Sequence, residues 1–416
     1  MSSDIHKLSE PSAALELFDG WEETVIWSAL DGTMGDIYAN EALTAAVAVL
    51  GDLAFLASPS LDADAVQALL RDLKARTDHS LFLVAQNDAQ FALCKALLGD
   101  VRCGIRYAVK KERGVFEPEK LEKFTSDIPQ GYVLSGMTPE IWTQIKEKGG
   151  WMRDFISNFP SYEVFMAQAL GVFALQNGEI VCGASSYSSF DGGIEIEIDT
   201  HEAHRRRHLA RACGARLILD CLERGLYPSW DAANLMSISL AQQLGYHFSH
   251  TYPYLVLTPA AQDAAQLEKK YAEALLQAQA LLADEPETVP NMANLSALLM
   301  ETLDRVNWAG FYTVQPDGNL LLGPFQGKPA CLRIENGRGV CGTALKEHRT
   351  LLVPDVHAFP GHIACDSASR SEVVVPVRRG ETVFAVLDLD SPVKNRFTAR
   401  EATFLEAIAE ILAEKF

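Results

Sequence analysis

The stretch VPDVHAFPGHIACDSASRSEVVVPVRRGETVFAVLDLDS, residues 353–391, decides the fold of the last third of this 416-residue chain. VVVPVRR and FAVLDLD are short β-branched and aromatic runs of strand length, and TLLVPD just before them reads the same way. In FAVLDLD, Asp388 and Asp390 are two residues apart, so a strand points both to one face. The intervening GHIACDSASRSE has small residues on both sides of Cys365 and no apolar period. It reads as a loop, where a thiolate is within reach of solvent. Working outward, TAREATFLEAIAEILAEK is a terminal helix. Upstream lie a helix (NMANLSALLMETLDR), two strands (WAGFYTV, NLLLG) and a helix (GTALKEH). The alanine- and glutamine-rich run after Pro259 is rich in helix formers and opens this block, closed by the Pro286 to Pro290 turn. Residues 263–416 are therefore expected to form an antiparallel sheet with flanking helices.

Three of the eight cysteines fall in this block. Cys331 and Cys341 flank the turn-rich LRIENGRGV, and Cys365 follows. Three thiols within reach of one another can run a redox cycle. One thiolate attacks an oxidised substrate and becomes a sulfenic acid, a second condenses with it to a disulfide, and a third takes that disulfide over by exchange. Each bridge needs Cα atoms about 4.4–6.8 Å apart. The acids add a substrate clue. Asp388, Asp390 and the nearby Glu372 repel one another unless a cation joins them or one stays protonated. The ammonium of a free amino acid meets the first condition, and a protonated carboxyl can donate to a sulfoxide oxygen. Trp308 could wall off a methyl group, and Tyr312 could add a hydroxyl or a second wall. A zinc set of the three cysteines with His362 is the competing reading. The ten-residue gap from 331 to 341 is unlike a CxxC knuckle, so no metal is expected.

The runs NWAGFY, GPFQGKPAC, GRGVCGTA, VPDVHAFPGHIACDSASRSE and VLDLDS resemble the free methionine-(R)-sulfoxide reductases, a catalytic branch of the GAF fold. The likeness covers essentially the whole block, in order. It implies that Cys365 attacks the sulfoxide sulfur and that Cys331 resolves the sulfenic acid. Cys341 then assists or substitutes during recycling by thioredoxin. It also implies that Trp308, Tyr312, Glu372, Asp388 and Asp390 bind the free methionine-(R)-sulfoxide, and that the domain pairs as a homodimer. Other GAF domains are ligand sensors, and fold alone does not give activity. The alternative is thus a redox or ligand sensor that regulates the rest of the chain.

The first two thirds divide into residues 1–125 and 126–259. In the first, VAVLGDLAFLAS and SLFLVAQ read as buried strands, and DADAVQALLRDLKAR as an amphipathic helix capped by Asp62. In the second, Gln176-Asn177-Gly178 separates two β-rich runs as a hairpin turn. GIEIEIDT is a strand, and the basic HRRRHLARACGARLILDCLERG a helix. A helix N-terminus with arginines beside it suits a pyrophosphate. The strand Ile194 to Ile198, including Ile196 and Ile198, can pair with an amide-bearing arm. Coenzyme A has both groups.

This block resembles the GNAT acetyltransferases, whose signature R/Q-x-x-G-x-G/A appears as Arg205, Arg206, Arg207, His208, Leu209 and Ala210. His208 replaces the central glycine. Asn234 follows the YPSW strand, as in one subgroup, and the tyrosine often used as general acid falls at Ala241. The resemblance implies acetyl-CoA as cofactor and an unspecified amine acceptor, with Glu195 or Glu197 as base. Residues 1–125 resemble a helper or degenerate half of the same fold. The fold class expected overall is α/β (α+β): a GNAT-like mixed sheet with helices on both faces, then a GAF-fold antiparallel sheet with flanking helices.

The net charge of −19 repels phosphate backbones and anionic lipid, so neither nucleic acid nor membrane is an expected partner. No apolar run reaches the ~18–20 residues that span a bilayer. The start, MSSDIHKLSEPSAALELFDG, lacks a basic then apolar leader, so a cytoplasmic location is expected. Cys94 and Cys221 sit in apolar helical contexts as buried thiols, and structural disulfides are not expected.

Overall fold

The computed structural model describes residues 4–99, 101–361 and 367–416. They form two compact units, divided between Gln262 and Asp263. Among the described residues no helix is long and apolar enough to cross a membrane. No disulfide joins any two of the seven described cysteines.

The first unit holds two sheets. One has eight strands, in the order Ile5–Lys7, Asp36–Asn40, Ala46–Leu50, Leu53–Ala57, Leu81–Ala85, Phe248–Leu257, Cys103–Val109 and Asp231–Ala232. The other has five, in the order Tyr227–Ser229, Gly193–Thr200, Glu179–Phe190, Gly171–Gln176 and Val133–Gly136. Both mix parallel and antiparallel pairs. The strand Phe248–Leu257 lies between Leu81–Ala85 and Cys103–Val109, so the stretches before and after residue 125 share one sheet. Local signals behave as the residues dictate. Asp62 accepts from the Ala65 N–H at 3.1 Å and starts the helix Ala63–Arg76. Asn177 (φ 52°) and Gly178 (φ 83°) take the left-handed conformations that a tight hairpin turn needs. The apolar run at ETVIWSAL is a buried helix, Thr24–Leu30.

One strand segment joins the two sheets and opens a wedge between them. Tyr227–Ser229 pairs in parallel with Gly193–Glu195. Two residues later, Asp231–Ala232 pairs with Tyr107 and Ala108 of the other sheet. The pairing of Gly193–Thr200 on that side thus ends at Glu195, and its Ile196–Thr200 portion faces a cleft. The helix Leu209–Glu223 packs behind, burying Leu217 and Ile218 against the core that contains Ile194 and Ile196.

In the second unit six antiparallel strands run in the order Arg333–Ile334, Leu320–Gly327, Trp308–Val314, Thr382–Ser391, Ser371–Arg379 and Leu351–Val353. The period-two alternation sorts their side chains. Val373, Val375, Leu387 and Leu389 pack against the helices Thr288–Thr302 and Ala399–Ala413. Val374, Val386, Trp308 and Tyr312 face the other way, toward the helix Gly339–Glu347. Leu387 is fully buried, and truncating such a leucine to alanine costs about 2–5 kcal/mol through the cavity left behind.

Candidate functional site

In the second unit, Trp308, Tyr312, Cys341, Glu372, Asp388 and Asp390 line a single cavity. The strand register explains their convergence. Trp308 pairs with Asp390, and Asp390 with Glu372, so these three form one row across three strands. Asp388 lies one row away on the same face, paired with Gly310 and Val374. The Trp308 indole N–H donates to the Lys328 carbonyl at 3.1 Å, and its ring stacks on Phe325 and Tyr312. Cys341 occupies the first turn of Gly339–Glu347, and its thiol donates to Glu372 Oε1 at 3.9 Å. Cys331 is half-buried and does not line the cavity, although its neighbours Pro329 and Ala330 do. Cys365 and His362 lie outside the described residues.

The cavity's electrostatics favour protons. Burial first, and then Asp388 and Asp390, push Glu372 well above the usual carboxylate range. Burial raises Asp388 to about 7, opposed by hydrogen bonds from Cys341 and Glu372. Burial raises both carboxyls, so the two hold a proton between them more readily than free carboxylates do. Asp388 Oδ1 is buried without a hydrogen-bond partner. Cys341 is raised well above an ordinary thiol, by burial first and then by Asp388 and Glu372. A helix N-terminus works the other way, but is worth only about 0.3–1 kcal/mol, less than one pKa unit. Burial can shift a group by up to ~3–5 units and wins. The sulfur of Cys341 and one oxygen each of Glu372 and Asp388 lie within 4.8 Å of one another.

In the first unit the wedge is a cleft with about 2430 Å³ of empty space. It is lined by Ile196, Ile198, Arg205, Arg206, Arg207, His208, Leu209, Ala210 and Asn234, so every expected cofactor contact opens onto it. The three arginines are exposed, and the helix starts at Leu209. His208 precedes that helix with φ 62° and ψ 12°, a left-handed conformation that glycine adopts without strain. Asn234 caps the next helix, accepting from the N–H groups of Met236 and Ser237 at 3.0 Å. Ala241 is fully buried.

The cleft also brings together Glu195 and Glu197, the expected bases, with Arg106, Asp231 and Glu23, which local patterns did not mark. Arg106 donates to Asp231 Oδ2 at 2.6 Å, and the Tyr252 hydroxyl donates to the same oxygen at 2.6 Å. Burial raises Glu23 to about 7 against the pull of Lys111. Glu195 accepts from the Thr24 hydroxyl, and burial raises its carboxyl too. Glu197 is pushed up to about 8, by burial first and then by Asp154 and Asp199.

Residues 15–255 match the family described as GNAT acetyltransferase, and residues 292–415 match the GAF domain. The second unit is 53% identical over 146 residues to the Bacillus subtilis protein YtsP, covering 35% of this chain and 90% of that protein. It is 52% identical over 128 residues to the Escherichia coli free methionine-R-sulfoxide reductase, covering 31% of this chain and 77% of that enzyme. The chain belongs to two families, the GNAT acetyltransferases and the GAF-domain free methionine-R-sulfoxide reductases. A GCN5-related N-acetyltransferase-like protein from Streptococcus suis shares the fold of the first unit. Its TM-score is 0.54 at 38% identity, over 59% of this chain and 98% of that one. The GNAT match starts well before residue 125 and runs through the strand Phe248–Leu257, in keeping with the shared sheet. Within the GNAT unit, His208 holds a left-handed conformation at the start of the helix Leu209–Glu223. Within the GAF unit, every described position singled out for substrate contact faces one cavity.

Proposed function

We propose that the second unit reduces free methionine-(R)-sulfoxide to methionine, and that the first transfers an acetyl group from acetyl-CoA to an amine. The observation that carries the first reading is the convergence of Glu372, Asp388 and Asp390 on one buried cavity walled by Trp308 and Tyr312, where burial favours the protonated carboxyls. An acid that keeps its proton at neutral pH can donate to a sulfoxide oxygen, and the remaining acidic charge holds the substrate ammonium.

In this scheme the Cys365 thiolate attacks the sulfoxide sulfur while Glu372 protonates the oxygen. The hydroxyl then moves from the substrate sulfur to the Cys365 sulfur as the transient bond between the two sulfurs breaks, so methionine leaves as the thioether and Cys365 is left as a sulfenic acid. The Cys331 thiol condenses with it, forming a disulfide and releasing water. A thioredoxin dithiol supplies two electrons and two protons by exchange, restoring both cysteines. Cys341 is the reserve thiol of that exchange and attacks only after giving up the proton that burial favours. The thiol chemistry suits a reducing, cytoplasmic compartment.

A thioredoxin-coupled assay tests this with free R-sulfoxide, free S-sulfoxide and a peptide-bound R-sulfoxide. Turnover is expected only with the free R form, and Cys365→Ser abolishes it. No turnover by the wild-type protein would overturn the reductase and favour a sensor. For the first unit, the exposed arginines beside an open helix N-terminus support acetyl-CoA binding, which calorimetric titration reads directly.

A further inference from the structure

The charge of the GNAT cleft is divided. Arg205, Arg206 and Arg207 occupy one region. Along Gly193–Thr200, Glu195, Glu197 and Asp199 line the cleft, as do Asp52 and Asp154 from other elements. These acids sense one another: Asp154, Asp199 and Asp52 all raise Glu197. Arg106 and Lys111 offset part of this crowding at Glu197 and Glu195, and a further cation would relieve more of it.

A second observation is independent of that crowding. Glu195 is 5% exposed, and one of its oxygens, Oε1, has no hydrogen-bond partner. Asp231 Oδ1 is likewise buried and unpartnered, while Oδ2 takes the Arg106 and Tyr252 donors. Both residues line the cleft. Buried acceptors without donors are rare in folded proteins, and each calls for a partner such as a water, an ion or a ligand group.

We propose that the acceptor is a linear di- or triamine, whose reacting nitrogen is held at Glu195 and Asp231 while a second ammonium sits among Asp52, Asp154 and Asp199. This rests on the acetyltransferase reading. The reacting ammonium gives one proton to Glu197 and becomes a free amine. Its nitrogen attacks the thioester carbonyl, the carbon–nitrogen bond forms and the carbon–sulfur bond breaks. Coenzyme A leaves as a thiolate and takes the second nitrogen proton. Glu197 passes the first proton to solvent. The distal ammonium explains why the acidic face extends beyond the reacting centre, and the arginines keep the anionic cofactor apart from it.

The test uses the full chain with acetyl-CoA and either spermidine, 1,3-diaminopropane or propylamine, and detects N-acetylated product by mass spectrometry. Spermidine is expected to exceed propylamine in kcat/KM by about tenfold or more. Asp154→Asn and Asp199→Asn are each expected to lower the spermidine value about fivefold, chiefly through KM, with the acetyl-CoA Kd unchanged. Acetyl-CoA binding with equal use of propylamine and spermidine overturns the acceptor class alone. Spermidine kinetics untouched by both substitutions do the same. Absence of acetyl-CoA binding overturns the acetyltransferase reading, and the acceptor with it.

Discussion

The Cys341 sulfur lies 3.9 Å from Glu372 Oε1, and both residues are buried. Burial first, and then the charges of Asp388 and Glu372, favour the protonated thiol. Nucleophilic thiol chemistry needs the thiolate. Alkylation by iodoacetamide at pH 8 is therefore expected to be at least about a hundredfold slower at Cys341 than at the exposed Cys103. Peptide mass spectrometry over time reads both sites in one experiment. Equal labelling of the two would mean that the acids do not guard this sulfur.

The same acids make the GAF unit sensitive to pH, with a definite sign. Asp388 titrates at about 7 when folded, above its ordinary value. The folded chain thus holds a proton that the unfolded chain releases. The stability contributed is fully present below the unfolded value, near pH ~4, and is lost as pH rises through about 7. Burial pushes Glu372 in the same direction. Hydrogen exchange in the strand Thr382–Ser391, corrected for intrinsic rates, should show greater protection at pH 6 than at pH 8. Asp388→Asn should shrink the difference. Protection that rises toward pH 8 in the wild type contradicts the assignment.

Sequence patterns exposed what is periodic or local. Asp388 and Asp390 could be placed on one face because a strand repeats every two residues, and the cap at Asp62 because its partner is three residues away. The helix Thr24–Leu30 escaped notice because seven residues are two turns, and five of them are buried, leaving no polar stripe to set a period. The cleft's Arg106–Asp231 pair joins residues separated by 125 positions. Glu195 meets Thr24 across 171. Such pairings follow from strand order, and the insertion of Phe248–Leu257 into the N-terminal sheet has no local signature.

His208 holds a left-handed backbone that a side chain adopts at a cost of about 1–2 kcal/mol, partly offset by the extra unfolded-state entropy glycine would bring. His208→Gly should leave the GNAT unit as stable, or more stable by up to about 1 kcal/mol. It should also tighten acetyl-CoA by clearing the helix N-terminus. His208→Val, β-branched, should instead lose about 1–2 kcal/mol. Thermal unfolding and calorimetric titration of the two variants form the comparison. A glycine variant less stable than the valine variant would show that the histidine side chain, not the backbone, sets this position.

Gly310 sits beside Asp388 in the sheet, and its lack of a side chain sets the place of the Trp308 ring. A Cβ there would lie 2.3 Å from Phe325 Cβ and 2.7 Å from Trp308 Cη2. The Phe325 Cα, 2.8 Å away, is backbone and cannot swing aside. Gly310→Ala should therefore cost about 1–3 kcal/mol by overpacking. It should also push the indole out of its stack with Phe325 and Tyr312, spoiling the cavity wall. Because the thiols and acids are untouched, the kinetic defect in sulfoxide reduction should fall on KM more than on kcat. Trp308→Phe offers a control: it removes the N–H donated to the Lys328 carbonyl while creating no clash, so its stability loss should be smaller. Equal KM values for Gly310→Ala and the wild type would mean that the indole takes no part in holding substrate.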